Sequence, residues 1–311
     1  MTDKNIKIFV AGHRGMVGSA CCRKLIENGY ENLILKSSSE LDLRNQLEVE
    51  EFFKTEKPNV IIDAAAKVGG ILANNSYPYE FLMDNMLIQN NLIRASLIND
   101  VKKFIFLGSS CIYPKYADQP LKEEYLLTSS LEPTNQWYAI AKISGVKLIE
   151  AIRIQFKKDF VSLMPTNLYG MNDNFDLNSS HVLPAMIRKF HDAKSKNEDT
   201  VNLWGSGTPK REFLHVDDLA NAVIFALQNT LPESLYNVGS GTDLTIRDLA
   251  EKIKNIVGYE GEIDWDSTKP DGTPRKLMDS SKLKSYGWNP NISLDEGIKD
   301  TYLWYLDNIS E

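Results

Sequence analysis

With 311 residues, 42% of them apolar and 25% charged, the chain has enough material for one large domain or two modest ones. A formal net charge of −7 argues against a general nucleic-acid or membrane-surface binder, so an anionic ligand would need a locally basic pocket. No run approaches about twenty consecutive apolar residues, which excludes a membrane-spanning helix, and Cys21, Cys22 and Cys111 leave no disulfide framework.

Met1–Asn5 carries no signal-peptide pattern, and the expectation is a cytoplasmic protein. Ile6–Ala11 predicts a strand and Val17–Asn28 a helix. Asn32–Leu35, Val60–Ala65, Lys103–Leu107 and Phe160–Met164 follow as strands, with long helices over Tyr79–Asn99 and Thr134–Lys157. Strands alternating with helices imply right-handed crossovers, hence an α/β fold with a Rossmann-type doubly wound parallel sheet. From about residue 170 Gly, Pro, Asn and Asp grow more frequent, and Asn172–Ser180, Trp204–Arg211 and Lys269–Arg275 read as loops. Residues 1–170 are assigned to the Rossmann domain. Residues 171–311 are assigned mainly to a smaller C-terminal α/β substrate-binding region, with some segments returning to the first domain.

The first strand runs into Gly12, Gly15 and Gly18 at G-x-x-G-x-x-G spacing, followed by a helix. Glycines there permit a tight turn and let backbone N–H groups approach a pyrophosphate, the arrangement of a dinucleotide site. An NAD site places an acid at the end of the second strand for the ribose 2′-hydroxyl. Here that stretch reads Leu35-Lys36-Ser37-Ser38, and Arg14 sits inside the glycine turn. Two cations and no carboxylate favour a 2′-phosphate, so NADPH/NADP+ is the expected cofactor. Lys36 by itself would read as a solvated surface charge.

Tyr138 and Lys142, at i and i+4, project from one helix face. An ammonium beside a phenol lowers the phenol pKa and suits it to acid–base work. Ser109 and Cys111 follow a buried strand two residues apart and face the same way if that segment is extended. The serine can polarise a carbonyl, and the cysteine can move a proton if its surroundings tune it, although an isolated cysteine there is a small buried hydrophobe. His181 precedes the helical pattern Val182–Phe190, where an isolated histidine caps or packs. His215 is read as positioning the helix start at Asp217/Asp218, His13 as part of the glycine turn, and Cys21 and Cys22 as core.

These residues resemble the extended short-chain dehydrogenase/reductase family, and the resemblance narrows to its GDP-L-fucose synthases, the GDP-4-keto-6-deoxy-D-mannose 3,5-epimerase/4-reductases. It covers essentially the whole chain. The motifs that carry it are Ala11–Gly18, Ala64–Ile71, Gly108–Pro114, Tyr138–Lys142, Met164–Gly170, Trp204–Gly207, Arg211–Asp218 and Lys269–Lys276. The resemblance implies that Cys111 removes a proton alpha to the C4 ketone and His181 returns one from the other face. It implies that Ser109 and Tyr138 hold the oxyanion, and that Tyr138, supported by Lys142, protonates the C4 alkoxide after reduction. It implies cofactor contacts at Gly12, Arg14, Gly15, Met16, Val17, Gly18, Lys36, Ala64, Ala65, Leu107, Gly108, Tyr138, Lys142, Pro165, Asn167, Leu168 and His181. Substrate contacts carry over onto Ser109, Lys189, Trp204, Arg211 and Asp271, the last of which could instead cap a turn in its Pro-Asp-Gly-Thr loop. No metal, nucleic acid or membrane partner is implied; a homodimer through a four-helix bundle of the two long helices is.

Lys36 stands where relatives often carry Arg, and the segment Ala226–Tyr236 is short; two further departures, Trp137 before Tyr138 and Met171 after Gly170, bear on the substrate. They keep open a C4-reductase of a related GDP-4-keto-6-deoxy sugar, such as a heptose, with little or no epimerase activity. An NAD-dependent nucleotide-sugar epimerase or dehydratase is disfavoured by Arg14 and Lys36. A non-catalytic NADPH-binding protein on the same fold is disfavoured by the joint presence of Ser109, Cys111, Tyr138, Lys142 and His181.

Overall fold

The computed structural model describes residues 3–269 and 271–309; Met1, Thr2, Ser310, Glu311 and Pro270 of the expected 269–275 loop lie outside them. The chain opens with β1 (Ile8–Ala11), α1 (Met16–Glu27), β2 (Leu33–Ile34), α2 (Gln46–Glu56) and β3 (Val60–Asp63). It continues through α3 (Ile71–Ser76), α4 (Pro78–Ile98), β4 (Lys103–Leu107), α5 (Gln136–Phe156), β5 (Asp159–Pro165) and β6 (Asn167–Tyr169). Then come α6 (Val182–Lys196), β7 (Thr200–Trp204), β8 (Lys210–His215), α7 (Val216–Gln228), β9 (Leu235–Val238), β10 (Asp243–Thr245) and α8 (Ile246–Val257). β11 (Glu262–Asp266), β12 (Arg275–Lys276), α9 (Ser281–Ser285) and α10 (Leu294–Asn308) complete it.

Six parallel strands form the main sheet in the order β2-β1-β3-β4-β5-β9. Both faces are covered, so strand residues are apolar on both sides. Ile8, Val10, Ile62, Ile105 and Leu163 pack towards α1 and α7, while Phe9, Ile61, Phe104, Phe106 and Phe160 pack towards α2, α4 and α5. Each such side chain contributes about 1.5–3 kcal/mol by leaving water. The chain order reverses between β1 and β3, and a crevice at such a switch point is where open α/β sheets bind ligands.

The second half is threaded into the first. β9 pairs in register with β5, Ser162 opposite Leu235 and Pro165 opposite Val238, and α7 packs on α1. Arg23 of α1 meets Asp217 of α7 at 2.7 Å. The buried Lys103 ammonium donates to the Ala226 and Asn229 carbonyls at 2.6 Å, closing the C-terminal end of α7, and pairs with Asp159 at 3.0 Å. A separate core of α6, α8 and α10 residues, among them Phe190, Ile253 and Tyr302, lies beyond the sheet.

Two expectations need correction. Trp204–Arg211 is not one loop: Trp204 ends β7, and Lys210 and Arg211 begin β8, with a turn through Gly205–Gly207 between them. Arg275 likewise belongs to the short β12, paired with Lys210. α2, capped by Asn45, which accepts from the Leu47 and Glu48 N–H groups, was not predicted.

Candidate active site

The glycine turn is as tight as its spacing requires. Gly12 has φ +77, and a Cβ there would lie 2.7 Å from the Ala64 carbonyl oxygen. A Cβ on Gly18 would lie 2.1 Å from the Gly12 carbonyl oxygen, so α1 can seat against the turn only with glycine at this point. Gly15 is the N-cap of α1, and no side chain caps the first turn, where Met16 and Val17 begin the helix; uncapped helix N–H groups suit an anion. Ala64 and Ala65 follow β3, Leu107 and Gly108 end β4, and Pro165, Asn167 and Leu168 lie at the β5–β6 junction. The predicted cofactor positions therefore gather at the carboxyl ends of β1, β3, β4 and β5.

Arg14 and Lys36 both act on a third group, Glu40. Its carboxyl is held below the usual range by Ser37, whose hydroxyl and N–H donate at 2.5 and 2.8 Å, and further by Lys36 and Arg14. The acid missing from the end of the second strand thus stands a few residues later. Both of its short bonds go to Oε2 from Ser37, and the two cations remain beside it.

Ser109 and Cys111 are not related by strand alternation as expected. Ser109 is extended, and its Oγ accepts from the Cys111 N–H at 3.3 Å to start a single 3-10 turn, Ser110–Ile112. This places the Cys111 thiol in a buried position where burial pushes its pKa up, while Lys276, the Ser109 hydrogen bond and Lys142 pull it down. Lys142 is buried on α5. Its Nζ donates to the Leu107 carbonyl at 2.9 Å and lies 4.6 Å from the Phe106 ring centre and 5.8 Å from that of Tyr138. Burial lowers the ammonium pKa, and Asp63 and Cys111 raise it. The Tyr138 phenol is not lowered as the i, i+4 argument supposed. Burial pushes it well up, with Cys111 and Asp63 adding to the effect, and the ammonium is turned to the Leu107 carbonyl. A phenol in this state is a proton donor at neutral pH.

His181 is the exposed N-cap of α6 and makes no cap hydrogen bond through its side chain. The loop before it leans on the Ala64–Ile71 motif, with the Gly70 N–H donating to the Ser179 carbonyl at 3.3 Å. The surrounding protein, then the Lys276 ammonium, lower the imidazole pKa. His215 behaves as predicted at the start of α7, accepting from the Asp217 N–H at 3.3 Å, and Cys21 is core.

The remaining predicted contacts lie on α6, β7, β8 and the loop before β12. Lys189 of α6 donates to the Asn202 carbonyl of β7 at 2.8 Å, and Trp204, 66% exposed, has the Lys269 ammonium 5.5 Å from its ring centre. Arg211 is half-buried, its pKa lowered by burial against the opposing pull of Asp271. Asp271 takes the turn-holding role. Its two oxygens accept from the Ser206 N–H at 2.7 Å and the Ser206 hydroxyl at 2.8 Å.

Comparison with known proteins gives the family of the chain. The model of the NAD dependent epimerase/dehydratase family matches residues 8–239. The chain belongs to this family. GDP-L-fucose synthase 1 of Arabidopsis thaliana is 60% identical over 309 residues, covering 99% of this chain and 96% of that protein. Among solved structures, a GDP-6-OMe-4-keto-L-xylo-heptose reductase from C. jejuni superposes with a TM-score of 0.93 at 39% identity, over 98% of this chain and 99% of that one. A GDP-L-fucose synthetase from Naegleria fowleri bound to NADP superposes with a TM-score of 0.91 at 27% identity, over 98% and 94%.

Within this epimerase/dehydratase site, one cation escaped the sequence reading. Lys276 lines the cavity that Cys111 and Glu132 also line; it influences Cys111 and His181, and its own pKa is lowered first by burial and further by Arg211. It sat in a quoted motif without a role, because nothing local distinguishes it from Arg275 beside it, whose guanidinium turns away to Asp243 at 2.5 Å.

Proposed function

We propose that the chain converts GDP-4-keto-6-deoxy-D-mannose to GDP-L-fucose by 3,5-epimerisation and NADPH-dependent 4-keto reduction. The observation that carries this reading is the grouping of Ser109, Cys111, Tyr138 and Lys142 at the ends of β4 and α5, with Lys276 acting on both Cys111 and His181. A plain alcohol dehydrogenase has no use for a second pair of proton carriers. The activity of the 60%-identical relative supports the same reading.

In this reading the C4 ketone acidifies the protons on C3 and C5. Cys111 takes one as a thiolate that Lys276 and Ser109 favour against burial, and His181 supplies one from the opposite face. The Ser109 hydroxyl and the Tyr138 phenol donate hydrogen bonds to the enolate oxygen. NADPH, which Arg14, Lys36 and the glycine turn would hold, would supply hydride to C4. Tyr138 then gives its proton to the new alkoxide, with the Lys142 cation stabilising the phenolate that remains. Arg211, Lys189 and Lys276 bring positive charge to an otherwise acidic protein for the diphosphate of the GDP moiety, and Trp204 offers an exposed ring for the base. Domain boundaries follow the same logic, with residues 1–170 holding the cofactor and 171–311 mainly the sugar nucleotide.

Arg14 and Lys36 suit a 2′-phosphate. Replacing both with alanine is expected to weaken NADPH binding by roughly 10–100-fold, the loss of one or two charge-assisted contacts, and to leave NADH binding unchanged. Titration of both nucleotides by fluorescence checks this; equal losses for the two would remove the 2′-phosphate role.

α4 and α5 pack side by side and leave Tyr79, Met83, Leu87 and Ile140 exposed, a stripe at helical spacing along α4 continued on α5. This supports a homodimer through a four-helix bundle. Sedimentation at micromolar concentration should show the dimer, and a monomer there would overturn it. The expected setting is the cytoplasm, where the product would feed surface-glycan synthesis.

The functional reading is tested by incubating protein, NADPH and GDP-4-keto-6-deoxy-D-mannose in D₂O and identifying the product by NMR. Deuterium at C3 and C5 of GDP-L-fucose is the expected outcome. A reduced sugar with neither position exchanged would make the chain a C4-reductase, the activity for which Trp137, Met171 and the heptose reductase likeness speak.

A further inference from the structure

We propose that Asp63 is a positioning residue for the reduction, the buried counter-ion that holds the Lys142 side chain as a charged ammonium beside Tyr138. The inference rests on the reading of Tyr138 and Lys142 as the working acid–base pair and adds a residue that neither the glycine turn nor the Tyr-x-x-x-Lys spacing contains.

Asp63 is the last residue of β3, in register with Ala11 of β1 and Phe106 of β4, and it is fully buried. Ile61, two residues earlier and so on the same side of the strand, packs in the layer of Phe104, Phe106, Ile143 and Val146. The Asp63 carboxylate therefore points to the face covered by α5. One oxygen, Oδ1, accepts from the Ala65 N–H at 3.2 Å; the other, Oδ2, is buried with no hydrogen-bond partner. On that face the buried Lys142 ammonium lies 4.6 Å from the ring centre of Phe106, the residue paired with Asp63. An ammonium has three N–H donors, and one is used on the Leu107 carbonyl. A carboxylate with an idle oxygen and an ammonium with donors to spare thus flank one phenylalanine in a buried, apolar layer.

Leaving an ionised carboxylate in such a layer without a cation is costly, and the same holds for the ammonium. Each relieves the other. Burial pushes Asp63 up to about 6, and Lys142 acts against that shift; burial lowers Lys142, and Asp63 is the largest influence opposing it. The other groups facing the pair are Tyr138 on α5, Cys111 in the 3-10 turn and Lys276 behind Cys111, while α4 contributes the neutral Gln89, bonded to the Ala141 carbonyl at 2.6 Å. If Asp63 merely pinned the Ala65 N–H, an asparagine would serve equally well. The two roles therefore part at Asp63→Asn, which keeps the shape and the acceptor and loses the charge.

The test is a pH titration by NMR of protein labelled with ¹³C at the lysine Cε, with Lys142→Arg identifying the Lys142 resonance. In D63N the Lys142 titration is expected to move down by about one pH unit, the effect of removing one nearby opposite charge. The alkaline limb of NADPH oxidation should move in the same direction, because losing a negative charge lowers Lys142 and Tyr138 together. Superposition of the wild-type and D63N titrations would overturn the inference. Should D63N fail to fold, the wild type decides alone: the Lys142 resonance must show a second inflection near pH 6 as Asp63 takes a proton, and a single smooth titration would sink the pairing. Absence of keto-sugar turnover by the wild type would refute the functional reading and leave the NMR result standing.

Discussion

Cys111→Ala is expected to abolish deuterium incorporation at C3 and C5 of the keto-sugar, a loss on the order of 10²–10⁴-fold in exchange rate, with NADPH affinity unchanged. The thiol is hydrogen-bonded with the Ser109 side chain, and a methyl group in its place can neither take nor give a proton. Any NADPH oxidation that survives should give a sugar unaltered at C3 and C5. The wild-type pH dependence has a fixed sign. Burial raises the Cys111 pKa and the thiolate is the active form, so exchange should rise with pH until the thiol is titrated. Retained exchange in the variant would move the role of base to His181 or another group.

Tyr138→Phe gives the complementary result. Its phenol is held protonated by burial, and of the two hydroxyls assigned to the C4 oxygen it is the one with the Lys142 cation beside it to stabilise the anion left behind. NADPH oxidation is expected to fall by roughly 10²–10⁴-fold, while C3 and C5 exchange continues, slowed by the loss of one hydrogen bond to the enolate. Stopped-flow absorbance of NADPH and NMR of the recovered substrate read the two half-reactions separately. If both variants lost both half-reactions equally, the division of labour between the cysteine and the tyrosine would be wrong.

How much of this was legible in the sequence depended on whether the cause was local. The glycine turn, five of the six main-sheet strands and the two long helices follow from spacing within one segment, and their observed ends fall within a residue or two of those expected, whereas β9 was not predicted. Trp204–Arg211 misled because Gly205 and Gly207 dominate the reading. β7 alternates exposed and buried residues in a two-stranded sheet with β11, too short a pattern to stand out beside two glycines. The Ser109–Cys111 relation failed for a similar reason, since a serine that accepts its own i+2 N–H replaces the pleat with a turn. Lys276 and Asp63 were invisible because each acquires its meaning from a partner far along the chain or from burial. The pair spacing of Tyr138 and Lys142 was readable. What becomes of the phenol was not, because that depends first on its burial, with Cys111 and a carboxylate from β3 adding to the effect.

The pairing of β9 with β5 has a consequence for how the molecule comes into being. On the ribosome, residues 1–170 cannot complete their sheet when they emerge, because the strand that covers the outer edge of β5 is still about seventy residues from being made. At roughly 5–20 residues per second that edge stays open for several seconds. Its β5 side chains, Phe160 to Met164, are apolar throughout apart from Ser162, so nascent chains are exposed during this interval to pairing with one another.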